Sequence, residues 1–110
     1  MLIARDRQKL IQACVYFAAN TRNCGKVKLF KLLYLLDFAH FRVTGRRVTG
    51  LDYVAWKLGP VPIELMQEWD QLEPDLAEAI DIVPEQVIDH VRERVVARVA
   101  FDDSFFLDSR

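Results

Sequence analysis

The stretch of residues 28–41, KLFKLLYLLDFAHF, decides the fold that we predict for this chain. On a helix of about 3.6 residues per turn it presents two apolar stripes. The first comprises Leu29, Leu32, Leu36 and Ala39, and the second comprises Phe30, Tyr34, Phe38 and Phe41. Two stripes need two packing partners, because leaving either one in water would expose a large apolar surface. The sequence therefore predicts a compact helical domain around a central buried helix at residues 27–42.

The size and composition of the chain are those of one globular domain. It has 110 residues, of which 52% are hydrophobic and 28% charged, so it has enough apolar residues for a core. No uncharged apolar run reaches the roughly 18 residues that a membrane-spanning helix needs. The N-terminus, MLIARDRQKL, carries charges where a signal peptide has its apolar stretch. We therefore expect a cytoplasmic protein.

The cysteine pattern gives no sign of a disulfide, metal or cofactor site. Cys14 and Cys24 are the two cysteines of the chain, and they form no paired CxxC motif. Isolated thiols in a reducing compartment usually stay free. We expect two free thiols, no metal and no cofactor.

The charges are distributed unevenly along the chain. Residues 1–50 hold ten basic and two acidic side chains, whereas residues 51–110 hold five basic and fourteen acidic ones. Two interpretations stay open at this point. The two halves attract each other when they pack, or they form a polarised surface that steers nucleic acid or a charged protein.

Helical spacing predicts three further helical segments. The first helix covers residues 6–20, with Asp6 at its start. A helix follows the breaker GPVP and runs from residue 62 to about residue 72, where its apolar face covers the second stripe. Residues 75–80 form one or two more turns. These segments make the fold mainly α.

The remaining segments predict a small β element, so that the fold class is α+β. Residues 94–101 alternate between the two faces of a strand, and we place a helix before them at residues 84–91. Since one strand is not stable alone, its partner is expected to be residues 48–57 or another chain. Residues 53–58 fit either a strand or a helical turn, and we favour a helical or irregular conformation there.

Two short motifs carry a resemblance to a known family. The first is KLxKLLY at residues 28–34 and the second is AWKxGPV at residues 55–61, followed by a weaker aspartate and phenylalanine pattern at residues 102–106. With these motifs the sequence resembles the Panacea domain family, which includes SocA-like and phage-associated GepA-like proteins. The motif positions are Lys28, Leu29, Lys31, Tyr34, Trp56, Gly59, Pro60 and Val61.

The resemblance implies a single domain over residues 1–110 with no enzymatic activity. It implies the antitoxin of a toxin–antitoxin pair, which neutralises a toxin from an adjacent gene by binding it. Relatives usually continue into further helices, so this chain is expected to lack those. We expect the motif residues to be mainly structural, with Tyr34 and Trp56 burying area and Gly59 and Pro60 fixing a turn.

Five residues are candidates for contact with a partner protein. They are the basic Lys31, Arg46 and Arg47, together with Phe105 and Phe106 in the apolar tail. A homodimer is a further possibility, and we expect no membrane partner. The alternative function is a small DNA-binding regulator that uses the basic N-terminal half, although the best-formed helix is too apolar to enter a groove.

One pair of side chains suggests a catalytic alternative. Asp37 and His40 lie three residues apart on one helical face, as a base and its orienting carboxylate would. No third group or known catalytic motif accompanies them. We therefore favour a structural pair at the edge of the core and assign no catalytic residue.

Overall fold

The computed structural model describes the backbone of residues 4–109 and the side chains of residues 6–106. The elements in chain order are helix α1 (Ala4–Asn20), helix α2 (Lys26–Thr44), strands β1 (Tyr53–Trp56) and β2 (Gly59–Pro62), helices α3 (Ile63–Glu68) and α4 (Pro74–Ala79), strands β3 (Ile80–Val87) and β4 (His90–Ala97), and a 3-10 helix (Asp103–Ser109). Each strand pair is an antiparallel hairpin. The predicted α+β class is confirmed.

The core lies where α1 and α2 pack against each other and against the β3–β4 hairpin. Its fully buried side chains include Leu10, Cys14, Leu29, Leu33, Leu51, Leu65, Leu76, Ile80 and Val95. The Val95 amide donates a hydrogen bond to the Cys24 carbonyl at 2.7 Å, which fixes β4 beside the start of α2. Both cysteines are free and buried, and burial raises the pKa of the Cys14 thiol to about 12.

Helix α2 is buried along only part of its surface. Leu29 and Leu33 are buried, whereas Phe38 and Phe41 are about half exposed. A helix buried on every side is therefore not confirmed, and the predicted cover of the second stripe is wrong at its C-terminal end. The physical reason is the difference in length between α2 and the strand that packs along it. Strand β2 has four residues and covers about 13 Å, whereas the 19 residues of α2 extend for about 28 Å.

The β structure differs from the sequence-based prediction in three places. Residues 84–91 are not a helix, because they form the end of β3 and the turn into β4. The strand predicted at residues 94–101 is His90–Ala97 instead, so it begins and ends earlier, and its partner is β3 rather than residues 48–57. Residues 53–56 form a strand rather than a helical turn. Helical and strand spacing coincide over such short apolar segments, so cross-strand pairing decides between them.

The predicted helices are confirmed more closely than the strands. Helix α1 covers the predicted segment, and α4 lies where one or two turns were expected. Helix α3 is shorter than predicted and ends at Glu68, after which the Trp69 amide closes a tight turn to the Met66 carbonyl.

The β1–β2 hairpin has a two-residue turn. Trp56 pairs with Gly59, so Lys57 and Leu58 form the turn between the strands. Gly59 has a φ of +129°, a backbone conformation that side-chain-bearing residues rarely adopt. The motif glycine is therefore required by the backbone of the turn.

A buried carboxylate attaches this hairpin to α2. Asp37 accepts hydrogen bonds from the Thr49 amide at 2.8 Å, from the Thr49 hydroxyl, and from the Tyr53 hydroxyl at 2.7 Å. Burial, together with the charge of Asp37, raises the pKa of the Tyr53 phenol well above its usual range, so this phenol stays a donor. The loop after α2 and the first strand of the hairpin are thereby fixed to one side chain of the helix.

An arginine on α1 joins the helix to the acidic half of the chain. Arg7 donates to both carboxylate oxygens of Glu68 and to those of Asp75, at 2.8 and 3.0 Å in the second case. Bidentate contacts of this kind are the strongest ion pairs in proteins. At Arg7, therefore, the opposite charges of the two halves do meet within the domain.

The Asp37 network predicts a graded loss of stability. Asp37→Ala leaves the Thr49 and Tyr53 donors without their acceptor, so we expect the free energy of unfolding to fall by about 2–4 kcal/mol. Tyr53→Phe removes one hydrogen bond and should cost about 1 kcal/mol. Urea denaturation measures both. The control is Asp52→Ala, an exposed carboxylate paired with Arg47, which should change stability by less than about 1 kcal/mol; equal losses in all three variants would contradict this account.

The Arg7 ion pairs predict a dependence of stability on pH. The Arg7 guanidinium holds the pKa of Asp75 below its ordinary value of 3.8. A pKa lowered by folding stabilises the fold above that ordinary value, and the contribution is lost as the pH falls through the lower folded-state pKa. Asp75→Asn should therefore lower stability at neutral pH and flatten its fall below about pH 4.

The size of this effect is limited by solvent. The Asp75 side chain is 49% exposed, so we expect a loss below about 1 kcal/mol at neutral pH. Thermal unfolding at several pH values measures it, with Asp70→Asn as the control, since Asp70 is an exposed carboxylate of the same region. An acid limb as steep in Asp75→Asn as in the parent would reject the assignment.

Candidate protein-binding surface

An apolar groove opens between the N-terminal half of α2 and the β1–β2 hairpin. Its volume is about 700 Å³. We call it the hairpin groove; its apolar lining comprises Val27, Phe30, Ala55, Trp56, Leu58, Gly59, Pro60, Val61 and Met66, and its charged lining comprises Lys26 and Lys57. The groove is thus mainly apolar, and both of its charged lining residues are basic.

Two residues of the β1–β2 hairpin that line the groove are largely exposed. Trp56 is 62% exposed and Leu58, in the turn, is 74% exposed. The burial predicted for Trp56 is wrong. Strand β2 packs along α2, whereas β1 contacts the helix through Tyr53 at its start, so Trp56 at the far end of β1 reaches beyond the core.

The floor of the groove packs against the core. Phe30 packs edge to face on Trp69, with ring centroids 5.2 Å apart, and Trp69 is only 3% exposed. The Lys26 ammonium lies 6.0 Å from the centre of the Trp69 ring, within reach of a cation–π interaction. Trp69 is therefore a core residue, in contrast to Trp56.

A second hollow of about 470 Å³ lies along the C-terminal half of α2. It is lined by Tyr34, Asp37, Phe38, Phe41, Arg47 and Tyr53. Tyr34 is half-buried between two rings, stacked on Phe38 at 5.9 Å and edge-on to Tyr53 at 5.3 Å. Some of the area of Tyr34 is buried as predicted.

The structure separates the motif residues into two groups. In α2, Leu29 lies in the core, Lys31 is exposed, and the Lys28 ammonium donates to the Arg22 carbonyl at 3.0 Å. In the hairpin, Gly59, Pro60 and Val61 line the groove. The first motif therefore supplies core and surface of a helix, and the second builds the wall of the groove.

The five candidate contact residues do not form one patch. Lys31 and Arg46 are exposed, and the Arg47 guanidinium is held in the loop by the Leu51 carbonyl at 2.6 Å and the Asp52 carboxylate at 3.1 Å. Phe106 lies against Phe101 and lines a small hollow on α1, and Phe105 is half-buried beside it. None of the five lines the hairpin groove.

Sequence reasoning missed Leu58, Val27 and Met66 as groove residues. The available signal was a β assignment of residues 53–56, which places Lys57 and Leu58 in a two-residue turn in solvent.

The arrangement of Asp37 and His40 does not support a catalytic base. Asp37 is 2% exposed, and its oxygens accept from Thr49 and Tyr53. The His40 ring nitrogen lies 2.7 Å from the Arg46 carbonyl oxygen. The hydrogen bonds of both side chains thus hold the loop after α2, which is a structural role.

Two further features bear on function within the described residues. No three His, Cys, Asp or Glu side chains of this part of the chain lie close enough to hold a metal ion. No helix in the same part combines the length and apolarity needed to cross a membrane.

Comparison with known families gives a match for this chain. The family of antitoxin SocA-like proteins, the Panacea domain, matches residues 29–98. This match includes α2 from its second turn, both hairpins and the helices between them, which is most of the chain. The protein therefore belongs to the Panacea domain family, as its two motifs indicated. Neither the curated proteins nor the solved structures include a match to this chain.

Proposed function

We propose that this protein is the antitoxin of a toxin–antitoxin pair and neutralises its toxin by direct binding in the cytoplasm. It acts without enzymatic activity, and the toxin is encoded by an adjacent gene. Membership of an antitoxin-like family supports the general role. The observation that carries the mode of action is the hairpin groove, with Trp56 and Leu58 held in solvent at its edge.

Exposed aromatic and aliphatic side chains beside a groove are the usual anchors of a protein interface. Tryptophan is enriched among the residues that contribute most to binding, and contiguous exposed apolar surface marks interaction sites. The two-residue turn and the Phe30–Trp69 contact fix the groove before a partner arrives. A surface fixed in advance loses little conformational entropy on binding. Trp56 and Leu58 therefore serve as anchors, and Lys26 and Lys57 favour an acidic surface on the toxin.

The DNA-binding alternative has less support. Its phosphate contacts would come from the basic N-terminal half, yet Arg7 of that half is committed to Glu68 and Asp75. The groove beside α2 is apolar where a nucleic acid presents phosphates. A steep fall of duplex affinity with salt would restore this alternative.

The direct test is co-expression with the product of the adjacent gene. Growth arrest by that product alone, relief of the arrest by this chain, and co-purification of the two proteins are the expected results. If the neighbour is not toxic, or if relief occurs without a complex, neutralisation by direct binding is rejected. Size-exclusion chromatography of the complex gives its stoichiometry and shows whether this chain enters it as a homodimer.

Substitutions of exposed residues in the groove should weaken toxin binding without unfolding the protein. Leu58→Glu and Trp56→Ala should each weaken binding by about 30-fold or more, the effect of losing an interface anchor. Isothermal titration calorimetry measures the affinity, and circular dichroism checks the fold. The matched control is Ile88→Glu, since Ile88 is a fully exposed aliphatic residue in the other two-residue hairpin turn. Equal effects of Leu58→Glu and Ile88→Glu would remove the groove from the binding site.

A further inference from the structure

Helix α2 presents one long face to solvent. The exposed residues within Lys26–Thr44 are Val27, Lys28, Lys31, Leu35, Phe38, Ala39, Phe41, Arg42, Val43 and Thr44. Every charged residue among them is basic. The one carboxylate of the helix, Asp37, is buried and accepts hydrogen bonds from Thr49 and Tyr53. The exposed face of α2 therefore combines apolar and cationic side chains without an acidic one.

Five of these residues form a continuous line along the helix. They are Val27, Lys31, Leu35, Phe38 and Arg42, which we call the α2 stripe. Their spacing of four or three residues places each one above the last, over a length of about 22 Å. The Arg42 guanidinium lies 5.8 Å from the centre of the Phe38 ring, which holds a cation beside the apolar centre of the stripe.

We propose that the α2 stripe binds an amphipathic helix of the partner protein, with acidic residues flanking its apolar face. The apolar residues recur at the spacing with which one helix packs along another. Lys31 and Arg42, near the two ends, then meet carboxylates of the bound helix. This inference rests on the proposed function, because the helix would belong to the toxin, and it specifies the chemistry that the toxin must present.

The position of the stripe connects it with the hairpin groove. Val27 belongs to both surfaces, so a partner helix along the stripe passes the opening of the groove. One protein can therefore fill the groove and cover the stripe together. Nucleic acid fits the stripe less well, since Leu35 offers neither charge nor an aromatic ring to a phosphate or a base.

The test uses a synthetic probe and does not require the toxin. The probe is a helical peptide of about three heptads with leucine at positions a and d and glutamate at e and g. Repulsion among its glutamates opposes self-pairing. The comparison peptide carries lysine in place of every glutamate. Each is titrated into the isotope-labelled full chain while backbone amide chemical shifts are recorded.

We expect the acidic peptide to shift the amides around Leu35 and Phe38 and the lysine peptide to bind at least about tenfold more weakly. The double variant Lys31→Glu with Arg42→Glu should reverse this preference. Both residues are exposed, so the fold is retained, as circular dichroism will check. The matched control is Arg22→Glu with Arg94→Glu, which makes the same charge change at two exposed residues outside both the stripe and the hairpin groove and should keep the preference of the parent.

Several results would overturn the inference. These are no shift with either peptide, equal binding of both, shifts that map to other elements, and displacement of the acidic peptide by duplex DNA. Concentration-dependent self-association of the chain that blocks the acidic peptide would assign the stripe to a second copy and would also overturn it. A non-toxic neighbouring gene would reject the antitoxin role and leave the peptide result unchanged, so the two failures are distinguishable.

Discussion

The arrangement of the possible binding surfaces depends on the buried carboxylate of Asp37. It accepts hydrogen bonds from Thr49 and Tyr53, which lie in the loop after α2 and at the start of β1. A short two-stranded hairpin has little stability of its own in water. Asp37 gives this hairpin a fixed place on the helix, and the groove between the two exists because that place is fixed. The same bonds use the only acidic side chain of α2, so the exposed face of the helix is left cationic.

The sequence was sufficient for the two long helices, the class of fold and the family, and insufficient for the β3–β4 hairpin and for the burial of particular side chains. Long segments with helical spacing, such as α1, identify themselves because the pattern repeats over several turns. The residues of β3 and β4 fit two periods at once, and only their mutual pairing selects the strand. The two tryptophans show how far the sequence could predict the candidate binding surface. Trp56 and Trp69 have the same side chain, but Trp56 ends a strand of the hairpin beyond the core, whereas Trp69 follows α3 and packs on Phe30 of α2.

The uneven charge of the chain serves internal packing at one helix and leaves a cationic surface at another. At Arg7 the basic half is joined to Glu68 and Asp75 of the acidic half, so part of the asymmetry serves internal packing. Along α2 the cations Lys31 and Arg42 stay at the surface beside apolar residues. If every basic side chain paired with an acidic one on folding, α2 would have no exposed cationic face. The domain therefore has internal ion pairs at α1 and an exposed cationic surface at α2.

The contrast between the two tryptophans also gives the protein two separate optical reporters. Trp69 is enclosed by the core and touches Phe30, so its emission should report the integrity of the fold. Trp56 is surrounded largely by water, so its emission should move to shorter wavelength when another molecule covers the hairpin. Replacing either one with phenylalanine isolates the signal of the other. Folding and surface coverage can thus be followed independently in the same unlabelled chain.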